Sequence, residues 1–218
     1  MDKSYFLDRL YPLQDEILRQ VTEEDTEFCL TDGTAASRGY LHHRFSDDLA
    51  LFVNDDPRFS LWAERLIHSL TRSQRWGLEV LQKEQRFVRC EVHSQDVSMK
   101  IEMVNDVPAH LGGIVMHDVL GRLDSPENIL ANTVTALVDR DEPNDLADIW
   151  GFCCRMGIPL SQALEEAQSK ASGVFPADLA RPFCSAGADD WSLVRWIEPP
   201  SLERFLSDLR ELGEKLIL

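Results

Sequence analysis

The sequence predicts a mixed α/β fold, of the α+β kind, in which a sheet with flanking helices is followed by a helical second half. Three observations carry this. Apolar residues alternate with polar ones in short runs up to about Asp106, then recur at helical spacing from Ser125 to the end. The stretch 27–55, EFCLTDGTAASRGYLHHRFSDDLALFVND, reads as a strand, a glycine turn, a short helix, a basic corner and a second strand. The composition is 44% apolar and 28% charged over 218 residues, an ordinary globular balance with enough chain to bury a core. The expected division is an α/β domain over residues 1–106 and a mostly helical one over 107–218.

In chain order, Phe6, Leu10, Leu13, Ile17 and Val21 make one apolar helical stripe. Strands are expected at Phe28–Thr31 and Asp48–Val53, with a helix over Thr34–Leu41 between them. Pro57 opens a helix carrying Leu61, Leu66 and Leu70. Leu78–Leu81, Phe87–Val92 and Ser98–Val104 have strand character. Beyond them, Ser125-Pro126, Pro143, Ser161, Pro176 and Ser201 each mark a helix start, and Cys184–Asp190 reads as a loop.

Strand parity selects the chemistry-bearing side chains. Asp48 and Ala50 share a face, while Leu49 and Leu51 take the other. In the last strand Met99, Ile101 and Met103 face the core, and Lys100 and Glu102 share the opposite face. Taken alone, Glu102 reads as a solvated residue paired with Lys100. A glycine turn ahead of a helix, beside an acidic strand, is suited to holding an anion.

The same stretch resembles the AbiE-type nucleotidyltransferases, toxin components of bacterial abortive-infection and toxin–antitoxin systems. Their first motif runs L-T-G-G-T-A-L, about eight residues, then H-R-x-S-x-D-h-D-h-F. Here Leu30-Thr31-Asp32-Gly33-Thr34-Ala35 is followed by His43-Arg44-Phe45-Ser46-Asp47-Asp48-Leu49-Ala50-Leu51-Phe52. Asp32 replaces the first glycine, and Ala50 replaces the second aspartate. The distal motif, K-h-x-A-L-x-x-R then K/R-D-h-x-D-h, resembles Thr133-Val134-Thr135-Ala136-Leu137-Val138-Asp139-Arg140 and Asn144-Asp145-Leu146-Ala147-Asp148-Ile149, with both lysine positions lost to Thr133 and Asn144.

The resemblance implies a polymerase-beta-like nucleotidyltransferase sheet with a C-terminal helical domain. It implies a nucleoside triphosphate as ligand and magnesium as cofactor. Asp48 and Glu102 become the catalytic, metal-binding carboxylates, and Gly33, Thr34, Arg44, Ser46, Arg140, Asp145 and Asp148 the nucleotide-binding residues. Asp145 and Asp148 also read as carboxylates near a helix N-terminus and Arg140 as a cation near a C-terminus, where the helix dipole favours each. Ala50 offers no oxygen to an ion. The alternative expectation is therefore a member that has lost catalysis and acts as a nucleotide-binding or protein-interaction module.

A net charge of −16 argues against a broad basic surface, so an RNA acceptor gains no support from charge. It suits a basic protein partner, and the resemblance implies a cognate antitoxin. The five cysteines include no C-x-x-C pair and read as buried thiols. The N-terminal residues lack the apolar core of a signal peptide, and no apolar run of membrane length follows, so the expected location is cytoplasmic.

Overall fold

The computed structural model describes residues 3–140, 142–170 and 174–217. The chain divides into two compact units that interleave along the sequence. Unit 1 comprises Met1–Thr34, Asp47–Pro108 and Gly113–Asp124; unit 2 comprises Ala35–Ser46, Ala109–Gly112 and Ser125–Leu218. The boundary near Asp106 read from periodicity is thus not a single crossing point.

Unit 1 opens with α1 (Lys3–Tyr5), which continues through a π-helical turn, Phe6–Leu10, into α2 (Tyr11–Glu23). The predicted stripe is the buried one, since Phe6, Leu10, Leu13, Ile17 and Val21 are all in the core. Next come β1 (Cys29–Thr31), the helical turn α3 (Asp32–Thr34), β2 (Leu49–Asn54), α4 (Phe59–Thr71), β3 (Gly77–Lys83), β4 (Phe87–Ser94), β5 (Val97–Asp106), β6 (Val115–His117) and β7 (Gly121–Leu123). Among the described residues the seven strands form one mixed sheet of order β3-β4-β5-β2-β1-β7-β6. β2 runs antiparallel to β1 and parallel to β5. Strands β6 and β7 lie past residue 106, in the half expected to be mostly helical. Three residues are too few to display a period of two.

One sheet face is apolar: Leu49, Leu51, Met99, Ile101 and Met103 are buried, as are Phe59, Trp62, Leu66 and Leu70 of α4. α2 packs against α4 and β7, and α4 against β3. On the other face β5 alternates buried and open positions throughout, so Lys100 is exposed and Glu102 half-buried. This alternation is the periodicity of a strand with one covered face.

Unit 2 begins with a π-helical segment, Ala35–Leu41, where a helix was expected over Thr34–Leu41. Its helices are α5 (Pro126–Asp139), α6 (Pro143–Trp150) running into a π-helical turn (Gly151–Arg155), α7 (Leu160–Lys170), α8 (Pro176–Ser185), α9 (Ala188–Leu193) and α10 (Leu202–Ile217). The core holds Ile129, Leu130, Val134, Ile149, Phe152, Leu179, Phe183, Phe205 and Leu209. Trp196 meets Trp150 and Phe205 edge-on, with ring centroids 6.1 and 5.5 Å apart. The expected loop over Cys184–Asp190 is largely helical. Asp190 accepts a hydrogen bond from Gly187 N at 2.8 Å, capping α9.

Ser125 is the N-cap of α5: its Oγ accepts from Asn128 N at 3.1 Å and donates to Leu111 O at 2.6 Å. Ser125→Ala removes both bonds, and the expected loss is about 1–2 kcal/mol of unfolding free energy, read from chemical denaturation.

Cys29 and Cys90 are buried, and burial pushes their thiols up to about 12 and about 11. Cys153 and Cys154 are only half-buried and Cys184 is exposed, so the expectation of buried thiols holds for two of the five. No helix among the described residues is long and apolar enough to cross a membrane.

Candidate functional site

The turn after β1 needs a residue that tolerates a left-handed backbone. Asp32 has φ of 57°, a conformation that glycine, asparagine and aspartate adopt most readily, so its replacement of a glycine is structurally sound. Gly33 and Thr34 complete the turn, and Thr34 Oγ1 donates to the main-chain oxygen of Asp48. Gln14 Nε2 donates to Asp47 O at 3.0 Å. The turn and the approach to β2 are therefore fixed by side chains rather than by glycine geometry alone.

Asp48 stands immediately before β2, exposed and beside β5, where Lys100 N lies 3.3 Å from its Oδ1. Although solvent reaches its carboxyl, the protein packed around it pushes its pKa above the ordinary value. Lys100 opposes that shift, and the charges of Asp47 and Glu102 add to it. Glu102 lies directly across from Ala50 in the parallel β2–β5 pair, and Ala50 across from Thr31 in the antiparallel β1–β2 pair. Asp48, Ala50 and Glu102 thus share one face, as parity required.

Two partners on this sheet were not expected from sequence. Arg89 of β4 is the cross-strand neighbour of Glu102 and donates from Nε to its Oε1 at 2.8 Å. Thr31 Oγ1 donates at 2.7 Å to Asp124, a buried carboxylate just after β7. The clue to Arg89 was its place in a strand of alternating residues, which points it to the same face as Glu102 once the β4–β5 register is known.

The remaining expected nucleotide-binding residues, Arg44, Ser46, Arg140, Asp145 and Asp148, belong to unit 2. Arg44 and Asp148 form a buried bidentate pair, with Nε to Oδ1 at 2.7 Å and Nη2 to Oδ2 at 2.6 Å. His43 Nε2 lies 3.0 Å from Asp148 Oδ1. Burial would raise the Asp148 pKa, yet the charge of Arg44 and contact with His43 hold it below the ordinary value. Burial lowers the His43 pKa and outweighs the pull of Asp148 in the other direction. Arg140 grips Asp145 in the same bidentate way, at 2.8 and 3.0 Å, with about half its side chain exposed. Ser46 is buried.

The carboxylates do not fit a two-magnesium centre. Such a centre needs several converging oxygens, whereas Ala50 supplies none and Glu102 is already bonded to Arg89. Among the described residues no group of three or more His, Cys, Asp or Glu side chains could hold a metal ion.

Solved structures give the fold its class: the chain has the nucleotidyltransferase fold. MenT4, a nucleotidyltransferase toxin from Mycobacterium tuberculosis, matches with a TM-score of 0.72 at 13% identity, over 100% of this chain and 86% of that one. A protein from H. pylori assigned as a nucleotidyltransferase matches with a TM-score of 0.62 at 16% identity, over 96% of both chains. JHP933 from Helicobacter pylori gives 0.58 at 15% identity, over 95% of this chain and 92% of its own. No protein-family model and no curated protein matches the sequence.

Proposed function

We propose that this chain is a nucleotidyltransferase-like protein of the toxin type, taking a nucleoside triphosphate at the Gly33–Thr34 turn and the Asp48–Glu102 face of unit 1. The observation that carries the reading is Asp48: an exposed carboxylate with a raised pKa, tied through its main-chain oxygen to Thr34 and electrostatically coupled to Glu102. A carboxylate of raised pKa is a better base than an ordinary one. In this reading it takes the proton of an acceptor hydroxyl as that oxygen attacks the α-phosphorus, and pyrophosphate leaves. The relationship to abortive-infection toxins, an antitoxin partner and an acceptor of any particular class belong to the same proposal.

The test is transfer of label from α-labelled triphosphates to cellular acceptors, comparing the wild-type chain with Asp48→Asn. The expected loss is about 100-fold or more, the scale of a removed general base. Equal labelling by both chains overturns the assignment.

A second reading is favoured by a specific feature, the pairing of Arg89 with Glu102 beside Ala50. Here the fold binds nucleotide without transferring it. Saturable triphosphate binding without any labelled product selects this reading.

A further inference from the structure

Arg89, Glu102, Ala50 and Thr31 form one continuous row across β4, β5, β2 and β1, each paired in register with the next. Residues directly opposite one another in neighbouring strands project to the same face. The row places a cation, an anion, a methyl group and a hydroxyl side by side, with Asp48 and Lys100 forming the adjacent pair. Arg89 is held from two sides, since its guanidinium also lies 5.1 Å from the centroid of the Phe87 ring.

We propose that Arg89 is a built-in cation that takes the place of a divalent ion at Glu102, so that this face excludes metal and holds a latent site that removal of Arg89 would open. The inference concerns the proposed nucleotide face and rests on that reading only for its location.

The chemistry is a competition for one carboxylate. Arg89 Nε holds Glu102 Oε1 at 2.8 Å, and an ion bound there would face a guanidinium at close range. Repulsion between a double and a single charge at about 5 Å lowers ion affinity on the order of 10- to 100-fold at partly solvated dielectric values. With side chains 40% and 31% exposed, the pair is open enough for an ion to reach it from solvent once the arginine is gone. The two carboxylates then left, those of Asp48 and Glu102, are hard oxygen donors suited to magnesium or manganese. Within the sheet, Arg89 balances the charge of Glu102.

Manganese is the probe, measured by electron paramagnetic resonance on the full chain with no nucleotide present. The wild-type chain is expected to show no saturable site below millimolar concentrations. Arg89→Met should bind at least about 10-fold more tightly. Arg89→Lys, which keeps the cation, should stay near wild type, and Arg89→Met combined with Glu102→Gln should lose the gain. Arg86→Met removes one positive charge at the Asp55 pair and should change nothing, separating a local effect from net charge. Arg89→Gln repeats the test if the methionine variant fails to fold by circular dichroism. Tight manganese binding by the wild-type chain overturns the proposal, as does a gain that survives Glu102→Gln or no gain on removing Arg89. Failure to bind nucleotide would count against the proposed function and leave the metal result standing.

Discussion

Replacing Asp148 with asparagine is expected to lower the unfolding free energy by about 3–5 kcal/mol, the scale for breaking a buried ion pair by removing one partner. Arg44 is 4% exposed and Asp148 1%, so neither charge can turn to water when the other is lost. Asparagine keeps the shape and one acceptor but not the charge that offsets the guanidinium. The measurement is the midpoint of urea unfolding at constant slope. A change under about 1 kcal/mol would mean that the pair is weakly coupled despite its burial.

The same cluster sets the direction of acid sensitivity. The Asp148 pKa is lowered in the folded chain, so its contribution is fully present above the ordinary value of 3.8 and is lost as pH falls below it. The His43 pKa is also lowered, so the unfolded chain binds the proton first, and stability declines as pH drops below about 6.5. Both groups act in one direction. The first loss on acidification therefore belongs to His43, and in His43→Gln that early phase should disappear while the later one remains.

Ala50→Asp should have the largest effect on ligand chemistry. The new carboxylate stands across from Glu102 on one side and Thr31 on the other, at a position 8% exposed. Without metal it adds an unpaired charge beside existing carboxylates, and an expected cost of roughly 2 kcal/mol follows from its desolvation and repulsion. With magnesium or manganese the same oxygen completes a three-carboxylate site, so the lost stability should return at millimolar ion. Triphosphate affinity should then become magnesium-dependent by about 10-fold or more, and the wild-type chain is expected to lack that dependence. Calorimetric titration of both chains with and without magnesium reads this directly. An Ala50→Asp chain indifferent to metal would remove the grounds for placing a nucleotide on this face.

Much of the sheet was legible because its long strands repeat a simple signal. Met99, Ile101 and Met103 alternate with Ser98, Lys100 and Glu102, and the structure keeps that division of faces. That Ala50 offers no oxygen, where the resembled motif carries its second aspartate, was also legible in the sequence. What escaped depends on pairing between distant residues. The Arg44–Asp148 bond spans 104 positions, and neither residue announces its partner. Arg89 meets Glu102 only through the β4–β5 register, which nothing in either strand states separately. β6 and β7 are too short for periodicity, and α9 is secured by Asp190 folding back on Gly187 in a stretch whose small residues resemble a loop.

The interleaving of the two units bears on how the chain acquires its shape as it is synthesised. Residues 35–46 emerge early, between two strands of unit 1, but Leu41, His43, Arg44 and Phe45 are buried and the segment belongs to unit 2. Arg44 must wait about a hundred residues for Asp148 to appear. At synthesis rates of roughly 5–20 residues per second, that interval is about 5–20 seconds, long compared with hairpin or helix formation. The nascent chain therefore carries this segment, with Arg44 not yet opposite Asp148, while strands on either side of it are free to pair. The Arg44–Asp148 pair can close only after the helical half has been synthesised as far as Asp148.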